Sequence, residues 1–128
     1  VGKGRLIHEG TDAVVLSLGP IGNQVEQAIS ELEQQGRSIA HYDMRFLKPI
    51  DEEILHTVGT KFSHIVTIED GALKGGLGSS VLEYMADHNM HPHVTRLGLP
   101  DHFVEHGSVE ELQHLVGIDK EAIIKALS

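Results

Sequence analysis

The chain has 128 residues, enough for one domain, with 40% hydrophobic and 23% charged residues, a globular rather than disordered balance. Ten Lys and Arg against nineteen Asp and Glu give a net charge of −9, so the surface repels a phosphate backbone, and no basic run offers a local nucleic-acid patch. Cysteine is absent, which excludes disulfides and thiolate metal sites, and no apolar stretch approaches the ~20 residues that cross a bilayer.

Arg5 to His8 reads as an edge strand at the start of the chain. Ala13-Val14-Val15-Leu16-Ser17-Leu18 is a continuous apolar run closed by Gly19-Pro20, the habit of a strand buried on both faces of a parallel sheet. Val25, Ala28, Ile29 and Leu32 then fall on one helical face, and Gly36 is placed to end that helix. Ser38 to Tyr42 is the next strand, followed by a connection holding Arg45 and Lys48.

Pro49 breaks regular structure, and Asp51 is a good N-cap for a helix through Ile54, Leu55 and Val58 that Gly59 should end. His64 to Ile68 is a strand leading into Glu69-Asp70-Gly71 and a glycine-rich loop. The helix after it places Val81, Leu82, Met85 and Ala86 on one side, and Val94 to Leu97 is a shorter strand. In the tail, Ser108 and Glu111 form a capping box for a helix with Leu112, Leu115 and Val116 on its apolar face. Asp119 caps a last helix with Ala122, Ile123, Ala126 and Leu127 inward. Alternating strands and helices predict an α/β fold: a three-layer α/β/α arrangement around a mainly parallel, doubly wound sheet of about five strands. One domain over residues 1–128 is expected.

Glycines in Gly71-Ala72-Leu73-Lys74-Gly75-Gly76-Leu77-Gly78-Ser79-Ser80 let the backbone turn sharply ahead of a helix whose free N–H groups could meet an anion. The dinucleotide fingerprint is incomplete, since Gly76 and Gly78 fit but Val81 stands at its third glycine. The Walker pattern fails because Lys74 precedes the glycine pair. Close packing against another domain is the preferred reading. A phosphate- or nucleotide-binding α/β module is the alternative.

Among ten histidines, His88, His91 and His93 cluster around Pro92 without ligand-spaced carboxylates, which reads as solvated loop histidines and no metal site. His106 beside Ser108 is a poor nucleophile–base pair, because Ser108 is explained by capping. Glu69 and Asp70 sit at the carboxyl end of a strand, where open α/β sheets bind ligands. Contact with loop N–H groups or a partner domain is preferred there over acid–base work. Arg45 and Lys48 could meet a phosphate or form interface ion pairs, and the residues leave both open.

Three segments carry a resemblance that extends over nearly the whole chain. They are Asp43-Met44-Arg45-Phe46-Leu47-Lys48-Pro49-Ile50-Asp51; Thr67-Ile68-Glu69-Asp70 with Gly75-Gly76-Leu77-Gly78-Ser79-Ser80-Val81; and Gly98-Leu99-Pro100-Asp101-His102-Phe103-Val104-Glu105-His106-Gly107-Ser108. In order and spacing they resemble the C-terminal, transketolase-like domain of the 1-deoxy-D-xylulose-5-phosphate synthase family. Related domains occur in transketolases and in the β-subunits of 2-oxo-acid dehydrogenases, and the late loop favours the synthases. Gly71 departs from the pattern, where a side chain such as Asn would follow the acidic pair.

The resemblance implies a piece of a larger multidomain transferase, and a start at Val1 without Met suits an excised fragment. It implies a cytoplasmic homodimer that condenses pyruvate with D-glyceraldehyde 3-phosphate, for isoprenoid, thiamine and pyridoxal precursors. Thiamine diphosphate and Mg²⁺ would be held by the upstream domains, the partners of this one. No catalytic, cofactor or metal residue carries over, and this piece alone is expected to be inactive. Arg45, Lys48, Glu69, Asp70, Gly75, Gly76, Gly78, Asp101 and His106 are the candidate interdomain and loop positions, with no nucleic acid or membrane involved.

Overall fold

A computed structural model describes residues 3–19, 22–45, 50–69, 76–98 and 120–127. Its elements are β1 (Arg5–His8), β2 (Ala13–Leu18), α1 (Gly22–Gln34), β3 (Ile39–Asp43), α2 (Glu52–Lys61), β4 (His64–Glu69), α3 (Leu77–Asp87), β5 (His93–Gly98) and α4 (Lys120–Leu127). The strands form one five-stranded sheet in the order β1-β3-β2-β4-β5. Four strands run parallel, and β1 is added antiparallel on β3 with a register irregularity between Leu6 and His8.

Alternation along the central strand divides the core. Ala13 and Val15 of β2 face one side, with Val25, Ala28, Ile29 and Leu32 of α1 and Ile123 and Leu127 of α4. Val14 and Leu16 face the other, against Leu55 and Val58 of α2 and Leu77, Val81 and Met85 of α3. Helices on both faces of a parallel sheet make the three-layer α/β/α architecture that the element pattern predicts. Leu16, Ile29 and Leu55 are fully buried, each worth about 1.5–3 kcal/mol relative to exposure.

Local signals behave as their chemistry requires. Gly36 has φ +87, the left-handed geometry that closes a helix, and its N–H donates to the Glu33 carbonyl at 3.0 Å. Asp51 accepts from the N–H groups of Glu53 (3.1 Å) and Ile54 (3.3 Å), which caps α2. Its other carboxylate oxygen accepts from Gly4 N–H at 2.8 Å and ties the N-terminal segment to that cap. Arg37, just ahead of β3, donates from Nη2 to the Leu127 carbonyl at 2.6 Å and fastens the end of α4.

Two expectations need correction. Gly59 does not end α2, which continues to Lys61 and stops at Phe62. Gly59 is there for space: a Cβ would collide with the sulfurs of Met85 and Met90. On α3, Leu82 is 40% exposed and Ala86 is also outward. Leu77, Val81 and Met85 form the buried stripe at four-residue steps, Gly78 is buried beside Leu77 in the first turn only, and Leu82 and Ala86, one residue on from Val81 and Met85, rotate about 100° out of the seam. Strand ends shift by a residue or so: β3 runs from Ile39 to Asp43, β4 extends to Glu69 and β5 spans His93–Gly98. The helix expected after Ser108 and the Asp119 cap lie outside the described residues. Among the described residues no helix is long and apolar enough to cross a membrane.

Candidate functional site

The carboxyl ends of the parallel strands lie along one edge of the sheet. Asp43 of β3 is in register with Ser17 of β2, and Leu18 of β2 with Glu69 of β4, which pairs in turn with Gly98 of β5. Glu69 therefore stands at the edge where open α/β sheets take up ligands or partners. It is 5% exposed, and its carboxylate receives a long 3.5 Å contact from Gly78 N–H in the first turn of α3. Gly76 is the N-cap of that helix, without a side-chain cap of its own. A buried carboxylate thus occupies the place at the α3 N-terminus that an anion would take, which disfavours a phosphate there electrostatically.

Glycine at position 78 allows a close approach. A Cβ would meet the aliphatic stem of Arg96 and, at 3.0 Å, the Thr67 hydroxyl. Arg45 lies beyond the end of β3 with φ 63, a left-handed conformation uncommon for a side-chain-bearing residue. Its N–H donates to the Asp43 carboxylate at 3.0 Å, a short-range bond that holds the turn. The fold brings Glu69, Gly76 and Gly78 together and places Arg45 two strands away from Glu69 on the same edge. Lys48, Asp70, Gly75, Asp101 and His106 lie outside the described residues.

A second polar feature escaped the sequence reading. Ser17 Oγ lies 2.7 Å from His41 Nε2, and His41 Nδ1 lies 2.7 Å from a Glu26 carboxylate oxygen. With Glu26 as a carboxylate, Nδ1 donates to it and Nε2 accepts from the Ser17 hydroxyl, which sets the tautomer. Ser17 and His41 are each 1% exposed, so the relay joins β2, β3 and α1 from within. His8 of β1 extends it, with Nε2 3.1 Å from Glu33 and Nδ1 3.7 Å from Glu26.

Burial pushes the His41 pKa below its ordinary value, while the Glu26 hydrogen bond and charge oppose that shift. A cavity of about 300 Å³ opens beside the relay, lined by Arg5, Ile7, Ser17, Gly19, Gly22, His41 and Asp43. The available signal was one polar residue inside each of two apolar strands, AVVLSL and IAHYD. Nothing in the spacing tells that Glu26, on the intervening helix, completes the chain.

The predicted histidine cluster is divided by the fold. His88 closes α3, stacks on Tyr84 and contacts the Tyr84 carbonyl through Nδ1 at 2.9 Å. His93 instead begins β5 opposite His64. Among the described residues, no group of three or more His, Cys, Asp or Glu is placed to hold a metal ion.

A doubly wound α/β domain with one antiparallel edge strand and its acidic and glycine positions gathered at the carboxyl edge defines the class. The chain belongs to the family of the transketolase C-terminal domain, whose model matches residues 2–123. It is 58% identical over 128 residues to the 1-deoxy-D-xylulose-5-phosphate synthase of Phocaeicola vulgatus, covering 99% of this chain and 20% of that protein. Identity to the synthase of Bacteroides thetaiotaomicron is 59%, with the same coverage. The more distant synthase of Halalkalibacterium halodurans is 42% identical over 100% of this chain and 20% of its own length.

The chain thus spans about a fifth of the length of the curated relatives it matches. Among solved structures, a split-gene transketolase described as an inactive β4 tetramer superposes with a TM-score of 0.88 at 31% identity, over 98% of this chain and 41% of the other.

Proposed function

We propose that this chain is the C-terminal domain of a 1-deoxy-D-xylulose-5-phosphate synthase, a transketolase-type transferase. The whole enzyme decarboxylates pyruvate and joins the remaining two-carbon unit to D-glyceraldehyde 3-phosphate, supplying isoprenoid, thiamine and pyridoxal precursors. The observation that carries this reading is identity of 58–59% over essentially the whole chain to proteins of that name. Likeness to the split-gene transketolase is lower in sequence and supports the shared architecture.

Thiamine diphosphate, when bound, stabilises the carbanion equivalent of the two-carbon unit, and Mg²⁺ would hold its diphosphate. The described residues do not fit that group. Among them no group of three or more His, Cys, Asp or Glu is placed to hold a metal ion, and the helix start at the glycine positions faces a buried Glu69. No step of the thiamine reaction is assigned to the described residues.

Its own work in the enzyme is interdomain. The carboxyl edge with Arg45, Glu69, Gly76 and Gly78 offers the face for the upstream domains, and the sequence assigns the same interdomain role to Lys48, Asp70, Gly75, Asp101 and His106, which lie outside the described residues. In this reading the enzyme is a cytoplasmic homodimer that depends on Mg²⁺. Assay of the full-length protein tests the proposal: with thiamine diphosphate and Mg²⁺ it should release CO₂ from pyruvate only as 1-deoxy-D-xylulose 5-phosphate accumulates. Transfer of a two-carbon unit between sugar phosphates, with no use of pyruvate, would assign it to the transketolases instead.

A further inference from the structure

The amino ends of β4 and β5, opposite the edge assigned to docking, bring two imidazoles together. His64 and His93 are register partners on adjacent parallel strands, so their side chains leave the same face of the sheet. Their ring centroids are 5.1 Å apart, with a 44° tilt. Both Nε2 atoms converge on one hydroxyl: Thr95 Oγ1 lies 3.2 Å from that of His64 and 3.4 Å from that of His93. The backbone beneath is fixed, because His93 N–H donates to the Ser63 carbonyl at 2.8 Å. His93 is exposed and His64 half-buried, so the pair is open to solvent on one side.

We propose that His64 and His93 form a chelating site for a borderline divalent transition-metal ion such as Zn²⁺ or Cu²⁺, bound through both Nε2 atoms and fastening β4 to β5.

Imidazole suits such ions, with metal–nitrogen distances of about 2.0–2.1 Å, and Cu²⁺ is the tightest binder of the divalent series. The Thr95 hydroxyl can donate to one Nε2 and accept from the other as N–H, and an ion placed between the rings would instead use the lone pairs of both nitrogens. With two protein donors, the remaining coordination positions go to water or to a small chelator. The inference is independent of the docking role.

The test titrates Cu²⁺–iminodiacetate, which leaves room for two imidazoles, into the full-length protein, read by calorimetry and by nitrogen couplings in the electron paramagnetic resonance spectrum. His93→Gln and His64→Gln should each weaken binding at least about tenfold, no less than the loss of an outer-shell partner costs a metal site. His91→Gln should change nothing. Added Zn²⁺ should raise the melting temperature of the wild type but not of His93→Gln, which is an exposed position and leaves the fold intact. Binding unchanged in His93→Gln, or abolished in His91→Gln, would overturn the assignment.

Discussion

Removing the Asp51 side chain tests how the docking edge is held to the rest of the fold. Asp51 is 6% exposed and accepts hydrogen bonds from Gly4, Glu53 and Ile54. Replacing it with Ala uncaps α2, at about 0.5–2 kcal/mol. It also leaves the part-buried Gly4 N–H without its acceptor, adding about 1–3 kcal/mol. The expected total for Asp51→Ala is about 1.5–5 kcal/mol.

Asp51→Asn separates the two roles. Its carbonyl can still cap α2, but its NH₂ then faces the Gly4 donor, so about 1–2 kcal/mol should be lost. Urea unfolding followed by circular dichroism measures both, and with a slope of about 1–3 kcal/mol/M the Ala variant should shift the midpoint down by about 1–2 M. A loss below about 0.5 kcal/mol for Asp51→Ala would refute the reasoning, since that is the range of an ordinary surface change.

The relay predicts a pH effect. Because burial holds His41 below its ordinary 6.5, the unfolded chain takes up that proton first. The contribution is complete above about pH 6.5 and is lost as pH falls toward the folded value, so the stability difference between wild type and His41→Gln should shrink on acidification. A difference that is constant between neutral and mildly acidic pH would remove His41 from the account. Two glycines should respond to Ala by different amounts. At Gly10 the new Cβ runs into the backbone of Ile39 and Ala40, which cannot yield, so a loss of about 3 kcal/mol or more is expected from unfolding curves. At Gly78 it meets the stem of the exposed Arg96, which can swing aside, and the Thr67 hydroxyl, so a smaller loss of about 1–2 kcal/mol is expected, partly offset by the better helix propensity of Ala. Equal losses at the two sites would contradict the packing described.

The fold was legible wherever a signal was local. Apolar runs located the parallel strands, Gly36 the end of α1 and Asp51 the start of α2, because backbone conformation and capping act over a few residues. Gly59 misled because its space is required by Met85 and Met90, and Met90 lies on a different segment. Leu82 misled because apolar character does not report how wide the contact seam of α3 is. The site was legible only in part. Glu69 and the glycines announced themselves by position at a strand end, but their contact depends on tertiary placement. The Ser17–His41–Glu26 relay and the His64–His93 pair each join residues from separate elements, and only strand order and register bring them together.

Calorimetric titration of residues 1–128 with thiamine diphosphate and Mg²⁺ bears most directly on the role assigned to this domain. The account predicts no saturable heat, because the cofactor is held by other parts of the enzyme. Stoichiometric micromolar binding by these residues alone would contradict it.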